Sequence, residues 1–332
     1  MGIPARRLGH ERPGGASSLT AMPFEVRADA VEFRLPDDGY LDVRLHQALE
    51  RPRNGPPFAF NDGRWELTFR RPQVDRLEYG IAADGEERER GAIEFPGYAP
   101  PAWLDAPDPG PAHPVGEHAR VWSPPDVSPR APLPLLVVHD GTAYEREAQL
   151  TRLVAHLIDS GRIPRCRVAL LDSPHREEDY SASARYGRAL AARLPALAPA
   201  TAHAGLGASL GALALLHARA VHPGAFGALM LQSGSYFRRR WDGHEAGFER
   251  FNRIARFVGT LLRAGRAATP IPVAITCGAP EENLANNRAV ASALRRQGHH
   301  VTFTINRDAH NYTAWRDTLD PHLPDLLARA WG

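Results

Sequence analysis

The sequence predicts an α/β protein, a mostly parallel sheet covered by helices, preceded by a small all-β sandwich. Three observations predict it. Residues 24–95 alternate apolar and polar side chains at the period of a strand. From about residue 116, apolar runs of strand length take turns with helix-like stretches, the pattern of a sheet with helices on both faces. Between these regions, residues 96–115 include "PGYAPPAWLDAPDPGPAHP", whose seven prolines read as a stiff linker.

Taken in order, residues 1–22 carry arginines but lack the apolar stretch of a secretory signal, so this segment is expected to be disordered, and Met22 offers an alternative start. In the sandwich, 23–95, the pairs and triplets Phe24/Val26, Val31/Phe33/Leu35, Leu41/Val43/Leu45, Trp65/Leu67/Phe69 and Leu77/Tyr79/Ile81 each put apolar side chains on one face. Asp37-Asp38-Gly39, Asn61-Asp62-Gly63 and Ala83-Asp84-Gly85 supply the turns. In the second region, 116–332, strands are expected at 133–141, 166–173, 226–234, 271–278 and 300–306. Helices are expected at 145–160, 183–197, 210–220, 248–265 and 283–297, the last stopping at Gly298. In such sheets ligands sit beyond the carboxyl ends of the strands.

Composition removes several function classes. All 40 basic residues are arginine, yet the formal charge is only +2 and no basic run exceeds Arg238-Arg239-Arg240, so no nucleic-acid footprint is present. Two cysteines, Cys166 and Cys277, are too few for a disulfide framework or a cysteine-based zinc site, and fifteen histidines form no H-E-x-x-H. No apolar run is long enough to span a membrane. A reduced, cytoplasmic protein is expected.

The stretch "AHAGLGASLGALALLHARA", 202–220, packs three glycines and a serine into seven positions and runs straight into a helix-like segment. Gly207-Ala208-Ser209-Leu210-Gly211 fits G-x-S-x-G, the nucleophile elbow of α/β hydrolases. A dinucleotide fingerprint fits badly: its third glycine comes one residue late, and the next strand ends in Leu231-Gln232 without an acid. Close packing of a helix on a sheet remains open on this motif alone. An elbow serine needs a base and an acid, in the order Ser, Asp/Glu, His. "TCGAPEEN" offers Glu281 or Glu282 at one strand end, and "NRDAHNYTAW" offers His310 at the next. Taken singly, His310 is an ordinary loop residue and the glutamates cap a helix. Three residue types in the required order, each after its own strand, favour catalysis. An oxyanion hole would take the N–H of Leu210 and one from the "HDGTAY" loop, where Gly141 permits the turn and Thr142 is the expected donor.

"HDGTAY", "GASLGALALL", "FGALMLQSGSYF", "CGAPEENLANN" and "RDAHNYTAWRDTL" together resemble the enterochelin esterase branch of the esterase D-like α/β hydrolases, over roughly 116–332. The preceding strands resemble, more weakly, that branch's N-terminal β-sandwich. The resemblance implies serine ester hydrolysis without metal or organic cofactor, on a small-molecule ester such as the trilactone of a ferric catecholate siderophore. It places the nucleophile on Ser209, the histidine on His310 and, through the spacing from the strand-end glycine, the acid on Glu281 rather than Glu282. It also implies substrate contacts at Arg176, in "DSPHREEDY", and at Asp140 and Tyr236; an ion pair of Arg176 with Glu177 or Asp179 is the competing reading. Two departures fall near the acyl pocket: Ala212 stands where many relatives carry glycine, and Phe237 is followed by three arginines. They bear on the substrate rather than the chemistry. A general acyl or carbohydrate esterase, an acyltransferase of the same superfamily, and a binding protein without turnover are the alternatives.

Overall fold

A computed structural model describes residues 23–47, 49 and 55–332; the expectation of a disordered 1–22 lies outside them. The chain divides into two units. One comprises the residues up to Ala99 together with Arg307–Ala309, the other Pro100–Asn306 and His310–Gly332.

The first unit holds two antiparallel sheets. Strands β1 (Phe24–Val26), β2 (Ala30–Pro36), β4 (Ala59–Asn61) and β5 (Arg64–Arg70) run in the order β1-β2-β5-β4; β3 (Val43–Gln47), β6 (Arg76–Ala83) and β7 (Glu86–Glu94) run β3-β6-β7. Inward residues of both sheets, Val31, Phe33 and Phe69 from one and Leu45, Leu77 and Ile81 from the other, share one core. Asp62-Gly63 and Asp84-Gly85 adopt paired positive φ angles (45° and 77°; 52° and 83°), which lets two-residue loops follow the strand twist. Two differences from the sequence reading are physical. Leu41 precedes β3 and is 89% exposed. The charged stretch "EERERGAIE" forms β7, an edge strand paired with β6 along its length, which needs an apolar side chain only where it faces the core, at Ile93.

In the second unit, β8 (His113–Pro114), β9 (Ala119–Trp122), β10 (Leu133–His139), β11 (Arg167–Leu171), β12 (Ala200–Ala208), β13 (Ala228–Gln232), β14 (Pro272–Gly278) and β15 (His300–Asn306) form one sheet. Its order is β15-β14-β13-β12-β10-β11-β9-β8, parallel from β10 onward and antiparallel at β8 and β9. The helices are α1 (Gly141–Ala148), α2 (Leu150–Asp159), α3 (Arg176–Tyr180), α4 (Ala184–Leu197), α5 (Leu210–Val221), α6 (Phe251–Arg263), α7 (Leu284–Arg296), α8 (Tyr312–Asp317) and α9 (Leu319–Trp331). Alternation along the strands feeds two cores. Leu135 and Val137 pack with residues of α4 to α7, whereas Leu136 and Val138 pack with residues of α1, α2 and α9.

The helix expected at 145–160 is two helices, broken at Gln149 (φ 48°). The Gln149 N–H closes α1 on Glu145 and Tyr144, and the Glu145 carboxylate accepts from the Thr151 N–H at the start of α2. Within the proline-rich stretch, Trp103 is buried in the same core as α2, and Arg152 donates to the Leu104 carbonyl at 2.8 Å. The sheet order reverses between β10 and β12, so the crevice for a ligand opens where those two strands end.

Candidate active site

Three neighbouring strands end in non-glycine residues of positive φ: Asp140 after β10 (54°), Ser209 after β12 (55°) and Ser233 after β13 (49°). Such backbone costs of order 1–3 kcal/mol per residue and persists only where its surroundings enforce it. At Ser209 they do. The Ser209 N–H donates to the Gln232 carbonyl at 2.9 Å, and the Ser209 carbonyl accepts from the Ser235 N–H at 3.1 Å. A Cβ on Gly207 would lie 2.8 Å from the Gly211 carbonyl carbon, and one on Gly211 would lie 3.1 Å from His139 Cβ. Only glycine lets strand and helix backbones approach so closely, which is why Ser209 sits between two of them.

A cavity of about 420 Å³ opens above this turn, lined among others by Ser209, His310, Asp140, Arg176, Tyr312 and Trp315. His310 Nδ1 lies 2.7 Å from Glu281 Oε2. Glu281 is buried, and its other oxygen accepts from the Gly278 N–H and the Ser233 hydroxyl, both at 2.6 Å. Its neighbour Glu282 is exposed and meets His244 Nε2 at 3.2 Å. Trp315 Nε1 donates to Ser233 Oγ at 3.0 Å while its ring meets the His310 imidazole edge-on at 5.0 Å. Accepting the Nδ1 proton, Glu281 fixes the tautomer in which Nε2 keeps its lone pair. Among the described residues, the Ser209 hydroxyl is bonded to Ser235 Oγ at 3.0 Å and not to His310.

Sequence reasoning missed the residues that join these parts. Gln232 is fully buried. Its carbonyl holds Ser209, its Nε2 donates to the Trp315 carbonyl and to Thr318 Oγ1, each at 2.9 Å, and its Oε1 accepts from Tyr144 at 2.7 Å. His139 is buried beneath the turn, stacked on Tyr180, with Nδ1 3.1 Å from the Gly211 carbonyl and Nε2 2.8 Å from the Tyr186 hydroxyl. Burial pushes its imidazole down to about 4. It is therefore neutral at pH 7, donating from Nδ1 and accepting at Nε2.

The remaining candidates are placed as follows. The Leu210 N–H heads α5, where the first turn has no intrahelical acceptors. Thr142 differs from expectation: its N–H donates to Asp172 Oδ1 at 3.1 Å, an anion at a helix N-terminus, rather than standing free. Arg176 pairs with neither Glu177 nor Asp179. It grips Asp140 through Nε and Nη2 at 2.7 and 2.8 Å, so both expected substrate contacts lie in the cavity wall as a bidentate pair. Tyr236 does not line the cavity. It is fully buried against Gly234 in the core, its hydroxyl without a partner among the described residues. Arg239 and Arg240 are exposed, and Arg238 stacks on Trp241 at 3.8 Å, away from the cavity lining. Among the described residues, the one metal-ligand-type cluster, His244, Glu245 and Glu282, lies at the surface. No helix among them is long and apolar enough to cross a membrane.

Solved structures share this fold. The enterochelin esterase of Shigella flexneri superposes with a TM-score of 0.72 at 18% identity, over 91% of this chain and 94% of that one. The Shigella flexneri enterobactin esterase in the presence of enterobactin gives 0.70 at 18%, over 91% and 95%. The ferric enterobactin esterase of Salmonella typhimurium gives 0.68 at 17%, over 90% and 93%. No curated protein sequence matches the chain. Residues 117–326 match the family model Esterase, described as "Putative esterase". With that match covering most of its length, the chain belongs to the esterase family and is a carboxylic ester hydrolase of the α/β-hydrolase fold.

Proposed function

We propose that this esterase works through a Ser209–His310–Glu281 triad. The observation that carries the reading is the 2.7 Å bond from a buried, fully bonded Glu281 to the histidine that shares a cavity with the strained Ser209. His310 Nε2 takes the Ser209 proton as Oγ attacks the ester carbonyl carbon, and Glu281 stabilises the imidazolium. The carbonyl oxygen becomes an oxyanion that the Leu210 N–H meets at the positive end of α5. A contribution from the Thr142 N–H requires it to leave Asp172. The C–O bond of the ester then breaks, and the alcohol departs with the proton from His310. Water, deprotonated by the same imidazole, hydrolyses the acyl-enzyme and regenerates Ser209.

For the substrate we propose a small-molecule trilactone of the enterobactin type, bound with or without its iron. The likeness to enterobactin esterases supports this reading, because it spans 91% of the chain and so takes in the N-terminal β unit. Arg176 supplies a cation beside the nucleophile. A general acyl esterase is favoured by one specific observation: Arg176 is already neutralised by Asp140. Two buried free thiols, Cys166 and Cys277, fit a reducing, cytoplasmic setting. The test is covalent labelling by a fluorophosphonate, followed by a panel of ferric and iron-free trilactones, feruloyl esters and nitrophenyl esters. Labelling at Ser209 with the trilactones turned over best is expected. An unlabelled Ser209 overturns the triad, and a preference for neutral esters moves the substrate to the general acyl class.

A further inference from the structure

Ser235 follows β13 by three residues and belongs to the "SGSY" segment, to which neither the triad nor the oxyanion site assigns a part. It is tied to Ser209 twice. Its N–H donates to the Ser209 carbonyl at 3.1 Å, and its Oγ lies 3.0 Å from Ser209 Oγ. Geometry alone leaves the direction of the hydroxyl–hydroxyl bond open; burial favours one. Ser235 is 7% exposed, and among the described residues Ser209 Oγ is the one acceptor within reach of its hydroxyl. A buried O–H without an acceptor costs about 1–3 kcal/mol. Ser209 instead faces the cavity, where water or His310 takes its proton. Burial therefore favours Ser235 as the donor, with Ser209 accepting while its own proton stays free for the base.

We propose that Ser235 is a further catalytic residue, a hydroxyl that stabilises negative charge on the nucleophile's oxygen. The inference rests on the triad reading above. During attack the Ser209 proton passes to His310 Nε2 while the bond from Oγ to the carbonyl carbon is still incomplete. Charge gathers on Oγ at that moment, and a hydrogen bond to a charged acceptor is roughly twice as strong as a neutral one. In the acyl-enzyme, Oγ is an ester oxygen and a poor acceptor, so the bond weakens. It strengthens again when water has added and Oγ departs, before His310 returns the proton. Ser235 keeps its own proton throughout. Its bond is stronger in both transition states than in the intermediate between them, which is the condition for raising kcat rather than merely tightening binding.

The experiment compares wild type with Ser235→Ala, Ser235→Cys and Ser235→Thr. It reads the second-order rate of fluorophosphonate labelling at Ser209, kcat and KM for a nitrophenyl ester, and the melting temperature. Ser235→Ala is expected to slow labelling and kcat by about 10- to 100-fold, the effect of one charge-assisted hydrogen bond, with KM within about twofold. Ser235→Cys keeps the volume but only a weak donor, so it covers the case in which alanine unfolds the turn; it too should be slow at an unchanged melting temperature. Ser235→Thr keeps the hydroxyl and should recover most of the rate. Labelling of a folded alanine or cysteine variant at the wild-type rate overturns the inference and leaves the triad standing. Faster labelling also overturns it, because Ser235 would then be an acceptor that holds Ser209 away from His310. A wild type that is not labelled at Ser209 removes the triad reading, and this inference with it.

Discussion

Glu281 and Asp140 each bind a basic side chain at the same cavity, in different surroundings. The Glu281 side chain is 3% exposed, and all three of its partners, the Gly278 N–H, Ser233 and His310, belong to the ends of β13 and β14 or to the loop that leaves the edge strand β15. Asp140 binds Arg176, which is 39% exposed on the short helix α3. The two basic side chains, His310 and Arg176, are equally exposed at 39%, so the difference lies in the carboxylates: Glu281 is fixed by two further donors, whereas both Asp140 oxygens are taken by Arg176. Groups proposed for proton transfer are therefore preorganised, and the group that faces a substrate is adjustable. Preorganisation is what general-base catalysis needs, since the imidazole must be oriented before the nucleophile moves.

The largest effects should come from breaking the fixed side. Ser209→Ala and His310→Ala should each lower kcat by about 10⁴–10⁶, and the double variant little further, because the two act as one unit. Additive losses in steady-state kinetics contradict that. Glu281→Gln should cost about 10²–10⁴, since the amide removes the carboxylate that holds the imidazole and stabilises its charge. Glu282→Gln, whose partner is the surface His244, should leave kcat within about twofold. The reverse ranking moves the acid to Glu282.

The same contrast explains what was legible in the sequence. Gly207, Ser209 and Gly211 could be read because the constraint on them is local: two backbones approach within a few residues, and only glycine permits it. Asp62-Gly63 and Asp84-Gly85 announce their hairpins for the same reason. The strand–helix alternation is also local, and it gave β10, β11, β13, β14 and β15, though neither the antiparallel strands β8 and β9 nor the strand order. Ser233, Gln232 and Trp315 were invisible because each acts through partners dozens of residues away. Arg176 chose Asp140, 36 residues distant, over acids one and three positions along its own helix, since β10 and β11 pair in parallel and the loops that leave them start side by side. Tyr236 was misread for a related reason. A tyrosine beside a motif counts as a polar contact in sequence, but here its ring fills the space above Gly234.

Beneath the fixed side, His139 gives an effect on stability rather than rate. Burial lowers its imidazole from 6.5 to about 4. Above pH 6.5 it is neutral in both folded and unfolded chains and adds no pH slope. Between 6.5 and about 4 only the unfolded chain takes up the proton, so stability is lost as pH falls through that window. Fully expressed, the loss is about 3 kcal/mol. Denaturant unfolding from pH 7 to 4 should show a smaller loss in His139→Gln than in wild type. Parallel curves for the two proteins rule out the histidine as the cause.

The smallest effect belongs to the adjustable side and bears on the substrate. Arg176 offers an incoming anion a guanidinium whose Nη1 donates to no other group among the described residues, while Asp140 takes Nε and Nη2. Removing it does two things. A cation is lost, and the Asp140 carboxylate, with 12% of its side chain exposed beside the Ser209 turn, is left unmasked. Both changes repel an anionic substrate, and neither acts on a neutral one. Arg176→Ala should therefore lower kcat/KM for an anionic trilactone by about 3- to 10-fold, through KM, and spare a neutral nitrophenyl ester. The wild-type rate on the trilactone should fall with salt, since exposed charges are screened within about 8–10 Å at 0.1–0.15 M, and the variant's should fall less. Adding Asp140→Asn to Arg176→Ala separates the two contributions: recovery toward wild type assigns the loss to the bared carboxylate, and no recovery assigns it to the missing cation. If Arg176 serves only to order its loop, both substrates lose equally and salt distinguishes neither. The charge argument for a siderophore then falls, and the general acyl esterase is the better reading.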